Sequence, residues 1–285
     1  MNSPLKIATF NAENFYMLLD RDYSPEEFGM VSDADYKAMN KSIYNPNKDL
    51  YKIAAIAAII LEEDFDFVGL CEVGGIETLA NFNNHFLGNR YDFFLHQDNS
   101  SRGIFVGALV KKGRFAAATA RSMPGMFSRN LLEVSLSVDG VDMMFFVVHL
   151  KSQYGQDRGI EKRLQEIRQL CGMVGLQNCV VMGDFNGIMI RGQNQFEYDA
   201  FLELPFRDVL EALDVPAGAR FSHFYFGAGK PSFNQLDYIF CSDDMAVVDG
   251  GMIVDMVPLN HAQRRRLPSD HIFLKATIAP SGTDR

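Results

Sequence analysis

Tryptophan is absent from the 285 residues, against 24 phenylalanines, so the aromatic content is weighted toward core filling. Only four cysteines occur (Cys71, Cys171, Cys179, Cys241), mostly within apolar runs and with no C-x-x-C pair. That excludes a thiolate zinc site and a disulfide framework, and predicts buried free thiols in a reducing compartment. The longest clean apolar stretch, Ile53–Leu61, has nine residues, whereas a membrane-crossing helix needs about 20. The N-terminus runs straight into a strand-like segment without a charged region followed by an apolar one. No secretion signal is therefore expected, and the expected location is cytoplasmic. Positive charge is also short: 27 Lys+Arg against 36 Asp+Glu give a net −9. A protein held to nucleic acid by bulk charge is excluded, though a few cations gathered at one site are not. With 47% hydrophobic and 22% charged residues, the composition is that of a globular domain rather than a disordered chain.

Periodicity supplies the organisation. Apolar residues recur at three- and four-residue steps over Lys48–Glu63, predicting an amphipathic helix, and helices are also read over Gly74–Leu87 and Asp157–Val174. Strands are predicted at Leu5–Phe10, Phe65–Cys71, Ile104–Val110, Leu131–Val138, Met143–Val148, Cys179–Met182, Leu236–Cys241 and Ile272–Ile278. Leu131–Val138 alternates apolar and polar residues, as a half-exposed strand does, whereas Met143–Val148 is continuously apolar, as one covered on both faces would be. Asp20–Asn47 reads as a polar surface excursion. No Gly/Pro-rich linker or repeat divides the chain, so we read one domain over residues 1–279 and a polar tail at 280–285. Strands and helices alternate early, strands cluster in the middle, and both patterns return. This fits an α/β architecture of stacked sheets flanked by helices better than a single parallel sheet.

Chemistry is expected where buried strands run out into polar residues, because rigid strand ends hold side chains in place. Six such places occur: Asn11 in T-F-N, Glu72 in L-C-E-V, His149 in V-V-H-L-K-S, Asp184 and Asn186 in G-D-F-N, Asp237 in L-D-Y-I, and Asp270 and His271 in S-D-H. A single carboxylate or histidine of the set reads more readily as a turn residue or a satisfied ring, and G-D-F-N equally well as a tight turn; their conjunction carries the signal. Competing chemistries fail on spacing. Gly183–Gly187 places Phe185 where a serine nucleophile would stand. G-A-G-K-P-S at Gly227–Ser232 lacks the earlier glycine of a phosphate-binding loop, and neither G-x-G-x-x-G nor H-E-x-x-H occurs. Carboxylate and amide oxygens without thiolates favour a hard cation, Mg²⁺ or Mn²⁺.

The ordered set T-F-N, L-C-E-V, R-G-I, H-L-K-S, G-D-F-N, L-D-Y-I and S-D-H, running from Thr9 to His271, resembles the endonuclease/exonuclease/phosphatase superfamily. The resemblance implies a four-layer sandwich of two mixed β-sheets packed face to face between helices. It implies a metal-dependent hydrolase of phosphate esters, with Glu72 as principal metal ligand, Asn11 beside it and Asp270 also in the metal set. By the same resemblance Asp184 and Asn186 hold the attacking water and the scissile phosphate, Asp270 orients His271, and Asp237 completes the cluster. His149 matches the deoxyribonuclease and sphingomyelinase branches and not the abasic-site enzymes, which carry tyrosine there. The sequence departs from the family pattern at Cys71-Glu72-Val73-Gly74-Gly75 and at Phe105 after Arg-Gly-Ile.

Two histidines suit opposed acid and base duties at neutral pH once their environments separate them, and the sequence leaves open which is the base. Adjacent strand residues point to opposite faces, so Asp270 needs a bend to meet the His271 ring; otherwise Asp237 or Asp184 orients it. Arg102, Lys151 and the run Arg264-Arg265-Arg266 lie close in sequence to these motifs and are read as a phosphate grip on a nucleic-acid backbone, with a solvated loop as the plain alternative for the arginine run. Phe221, Phe224, Tyr225 and Phe226 around His223 read mainly as packing, with a base-stacking wall as the alternative. The expected function is a Mg²⁺-dependent nuclease, with a monomeric protein acting on nucleic acid or another phosphodiester. The alternatives are an enzyme for a small or lipid-linked phosphate, for which Met123–Phe127 is the one short apolar candidate, and a catalytically silent binding module.

Overall fold

Every strand expected from the apolar runs is present in the computed structural model, which describes residues 3–40, 43–98, 100–153, 159–227 and 231–280. The expected helix start at Asp157 and the tail at 281–285 lie outside the described residues. β1 (Leu5–Phe15), β2 (Phe67–Val73), β3 (Tyr91–Leu95) and β4 (Phe105–Lys111) open the first sheet. β5 (Ala117–Ser122), β6 (Leu131–Val138), β7 (Val141–His149), β8 (Cys179–Asp184) and β9 (Phe206–Asp208) build the second. β10 (His223–Tyr225) and β11 (Ser232–Asn234) form a separate hairpin, β12 (Asp237–Ser242) rejoins the second sheet, and β13 (Ala246–Ile253) and β14 (Phe273–Ala279) return to the first. The spatial orders are β13-β14-β1-β2-β4-β3 and β5-β6-β7-β8-β12-β9. Both sheets are mixed: β1 with β2 and β7 with β8 run parallel, and the other pairings are antiparallel.

The period-2 geometry of strands explains the layers. On β7, Phe145 and Val147 face the first sheet, whereas Phe146 and Val148 face the helices behind. On β2, Phe67 and Cys71 point inward and Val68 and Leu70 outward. The Phe67 and Phe145 rings stack at 4.4 Å between the sheets. Each such buried side chain contributes about 1.5–3 kcal/mol. α3 (Leu50–Glu63) and α4 (Ile76–His85) cover the first sheet through Ile53, Ile56, Ile60 and Phe82. α5 (Ile160–Cys171) and the one-turn α6 (Asp199–Leu202) cover the second through Ile167, Leu170 and Phe201. The result is a four-layer α/β sandwich.

The excursion after β1 is not merely a surface feature. It contains α1 (Pro25–Phe28), opened by a Ser24–Glu27 capping box, and α2 (Asp33–Ala38), and it buries Phe28, Tyr36 and Met39 against the α4 side of the core. The remaining one-turn helices are α7 (Val209–Ala212) and α8 (His261–Arg264). Cys71, Cys179 and Cys241 are buried and Cys171 half-buried, all as free thiols. Among the described residues no helix is long and apolar enough to cross a membrane.

Candidate active site

Two irregularities in neighbouring strands turn polar side chains toward one end of the sandwich. The parallel β1–β2 pairing runs in register to Asn11–Cys71 and then shifts before Phe15–Val73, and β2–β4 shifts between Leu70 and Val73. Within that break Glu13, Asn14 and Glu72 adopt left-handed backbone, with φ of 45°, 51° and 63°. Such conformations cost about 1–3 kcal/mol each outside glycine, and local bonds offset them. The Glu13 N–H donates to Asn11 Oδ1 at 3.0 Å, and the Asn14 N–H donates to Glu72 Oε2 at 2.9 Å. In the facing sheet, His149, Asp184 and Asp237 stand side by side on β7, β8 and β12. Gly183 makes this approach possible: its φ is +133°, and a Cβ there would overlap the Val148 carbonyl oxygen.

The side chains converge on Asp184. Its Oδ1 accepts from the Asn186 N–H at 2.8 Å and its Oδ2 from Asn11 Nδ2 at 2.9 Å. His149 Nε2 and His271 Nε2 lie 3.5 and 3.9 Å from the same Oδ2. His271 Nδ1 meets Asp237 Oδ2 at 2.6 Å, with both residues buried. The expectation that Asp270 orients His271 is therefore corrected: Asp237 occupies Nδ1, and Asp270 Oδ1 stays 4.0 Å from Nε2. The alternation of neighbouring side chains is the reason. Asp270 Oδ2 instead binds Arg264 at 2.6 Å and lies 3.7 Å from His223 Nε2. Ser269 fixes the turn by donating to the Asn11 carbonyl at 2.7 Å while accepting from the His271 N–H at 3.0 Å.

These contacts separate the titratable groups. Burial pushes Asp184 up to about 7, although the His271 charge and the Asn11 amide oppose it. Burial disfavours the charged form of His271, yet the charge and hydrogen bond of Asp237 hold it up at about 10. Burial, with the positive charges of Arg129, His271 and Arg102, drives His149 well below its ordinary value. Asp270 is also desolvated, but His223, His271 and Arg264 keep its carboxyl well below the usual carboxylate range. At neutral pH the site thus pairs a charged His271 with a neutral His149.

A cavity of about 800 Å³ opens over this cluster, lined among others by Asn11, Glu72, Arg102, His149, Asp184, Asn186, Asp270 and His271. Asp237 lies behind His271, fully buried. The expected phosphate grip is largely not assembled. Arg102 lines the cavity and donates to Asn14 Oδ1 at 3.1 Å. Arg264, however, is spent on Glu13 and Asp270, at 2.5 and 2.6 Å. Arg265 and Arg266 are exposed and outside the cavity lining. Lys151 is outside it too, its backbone tied to Glu166 and Arg163 of α5. The sequence reading passes over Arg129 and treats the segment around His223 mainly as packing. Arg129, 7% exposed, donates to the Leu150 carbonyl at 2.9 Å. His223 on β10 places its ring 4.7 Å from that of His271, with exposed Tyr225 stacked beside it. No motif marks either. Phe224, by contrast, is core.

The donor set fits a divalent cation. Carboxylate and amide oxygens of Asn11, Glu72, Asp184 and Asp270 line one cavity, so hard donors are present there without the protonated His271 ring. Buried Asp237 Oδ1 has no hydrogen-bond partner. Burial lifts the Cys71 thiol well above its ordinary value, so it supplies no thiolate, and the carboxylate and amide donors lining the cavity are hard.

A model of the Endonuclease/Exonuclease/phosphatase family matches residues 8–271. Curated proteins gave no significant match. Among solved structures, D. rerio TDP2 complexed with single-strand DNA product superposes with a TM-score of 0.65 at 18% identity, covering 98% of this chain and 100% of that one. The human Nocturnin catalytic domain with bound sulfate gives 0.64 at 15% identity, covering 98% and 94%. A Bacteroides thetaiotaomicron mannosyl-6-phosphatase gives 0.62 at 16% identity, covering 96% and 99%.

Proposed function

The chain belongs to the endonuclease/exonuclease/phosphatase family, hydrolases of phosphate ester bonds, and from that premise we propose that it is a Mg²⁺- or Mn²⁺-dependent phosphodiesterase that cleaves nucleic acid. The observation that carries the reading is the convergence of His149 Nε2 and His271 Nε2, at 3.5 and 3.9 Å, on Oδ2 of one buried carboxylate, Asp184. Glu72, with Asn11 and Asp270, would hold the cation, which supplies positive charge to the phosphate oxygens. Asp184, lifted toward neutrality and fixed by Asn186 and Asn11, takes the proton of the attacking water. His271, kept protonated by Asp237, donates to a non-bridging oxygen as negative charge develops there. As the P–O bond to the leaving group breaks, the proton held on Asp184 passes to the departing oxygen; neutral His149 offers a further donor, and Arg129 and Arg102 add positive charge at the cavity wall.

For nucleic acid speaks the His223–Tyr225 ring pair on the cavity rim, which presents an aromatic face to a base. The TDP2 neighbour carries single-strand DNA product, and we take a single strand as the substrate here as well. One observation favours a second reading, a small phosphomonoester: Arg264 is neutralised and Lys151, Arg265 and Arg266 stand outside the cavity, so the expected backbone grip is missing. An activity panel at equal enzyme concentration with Mn²⁺ separates the two. Hydrolysis of a single-stranded oligonucleotide and of bis-p-nitrophenyl phosphate supports the phosphodiesterase. Turnover confined to sugar phosphates overturns it.

A further inference from the structure

Side chains from the end of β1, from α2 and from the start of α3, with Arg102, line a second cavity, of about 700 Å³, against the wall of the first. Glu13, Asn14 and Arg102 line both, so the two spaces share one partition. The partition is firmly built. Asn14 binds Glu72 through its N–H and Arg102 through its side chain, and the Tyr16 hydroxyl donates to the carbonyls of Arg102 and Gly103 at 3.1 and 2.9 Å.

The second cavity is cationic in an acidic protein. Lys37 from α2, Lys48 from the following loop and Lys52 from the first turn of α3 line it with Arg102. The opposing carboxylates are already matched, Glu13 by Arg264 at 2.5 Å and Asp49 by Lys37 at 3.5 Å. Among the described residues no carboxylate is paired with Lys48, Lys52 or Arg102. Lys48 is the unusual member, only 8% exposed, with its Nζ donating to the Glu13 carbonyl at 2.9 Å. That uses one of its three donors. Burial draws it down to about 8; Glu13 and, more weakly, Asp270 and Glu72 oppose this, and Lys52 adds to it. Burying an ammonium beside a second cation is unfavourable unless an anion joins them. The first turn of α3 carries no acidic residue to play that part.

We propose that this cavity seats a second phosphate group of the substrate, held by Lys48, Lys52 and Arg102 while the scissile phosphate occupies the active site across the Glu13–Asn14 partition. The assignment rests on the phosphodiesterase reading and refines it: the substrate carries at least two phosphates. These are either successive phosphates of a single strand or the two groups of a bisphosphorylated small molecule. Phosphate suits the site because its several acceptor oxygens can meet donors arriving from separate elements.

Binding in EDTA, without catalysis, tests the seat. A labelled hexathymidylate is titrated by fluorescence anisotropy between 50 and 200 mM salt with wild type, Lys48→Gln/Lys52→Gln and Lys52→Glu; the last keeps the buried lysine should the double variant fail to fold. A hexose bisphosphate and a hexose monophosphate serve as competitors. Both variants should lose about tenfold in affinity, the scale of a charge-assisted hydrogen bond. The log-log salt slope should flatten by about 0.7 per lost phosphate contact. Loss for the oligonucleotide identifies a strand, and loss for the bisphosphate alone identifies a small molecule. Unchanged affinity and slope for both overturn the proposal. Failure of the phosphodiesterase reading shows separately, as absence of wild-type diester turnover with metal.

Discussion

Asp237→Asn tests the electrostatic core of the site. The substitution keeps the shape of the side chain and removes the charge that faces His271 Nδ1 at 2.6 Å. Without it, only the weaker pull of Asp184 and Asp270 opposes burial, so the His271 value falls and less of the ring is charged at pH 7. If His271⁺ stabilises the developing phosphate charge, kcat for bis-p-nitrophenyl phosphate should fall about 10²–10³-fold, the cost of losing one positioned donor. Stability should fall as well. Breaking one partner of a buried ion pair costs about 3–5 kcal/mol. The folded-state value of His271 lies above its unfolded value, so its stabilisation is complete below pH 6.5 and is lost as pH climbs through about 10. The gap between wild type and variant in urea denaturation should thus be widest near pH 6 and narrow toward pH 10. A variant with wild-type kcat, or a gap that widens with pH, refutes the assignment of charge to His271.

Gly183→Ala should destabilise by about 3 kcal/mol or more in urea melts, because its φ of +133° and the Val148 carbonyl leave no room for a Cβ. Arg163→Met strands the buried Glu197, its partner at 2.7 Å, and should cost about 3–5 kcal/mol, whereas adding Glu197→Gln should restore much of it. His223→Ala should lower diester turnover about 10²-fold by removing a cavity donor beside Asp270. His261→Ala, on exposed α8, serves as the control and should leave turnover unchanged.

The sequence carried the fold far because its strands are apolar enough to announce themselves: Met143–Val148 and Cys179–Met182 read as buried and are, save half-buried Met144. It missed all four edge strands: the half-exposed residues of β3, β5 and β13, such as Ala117–Ser122, show little contrast between faces, and β9 has only three residues. In the site, Asn11, His149, Asp184 and Asp237 were legible because a polar residue at the end of a buried strand has few other reasons to be there. Arg264 was misplaced because proximity in sequence to Asp270 suggested a shared substrate, whereas the fold pairs the two with each other. His223 was read chiefly as packing because a three-residue strand among phenylalanines has no periodicity to set it apart; only its bridge to His271 brings it to the cavity. The lysines of the second cavity were invisible for the same reason, since α2, the following loop and α3 meet only through tertiary packing.

Metal-dependent phosphodiester hydrolysis is the central claim, and a metal titration of wild type against Glu72→Gln measures it most directly. Glu72 offers an oxygen at the strained end of β2, beside Asn14 and 4.0 Å from His149. With bis-p-nitrophenyl phosphate as substrate, the account predicts no turnover after exhaustive chelation and recovery with Mg²⁺ or Mn²⁺. It also predicts a Glu72→Gln midpoint shifted at least tenfold to higher metal, as removal of an anionic ligand demands. Full wild-type turnover after chelation, or an unshifted midpoint in the variant, would contradict it.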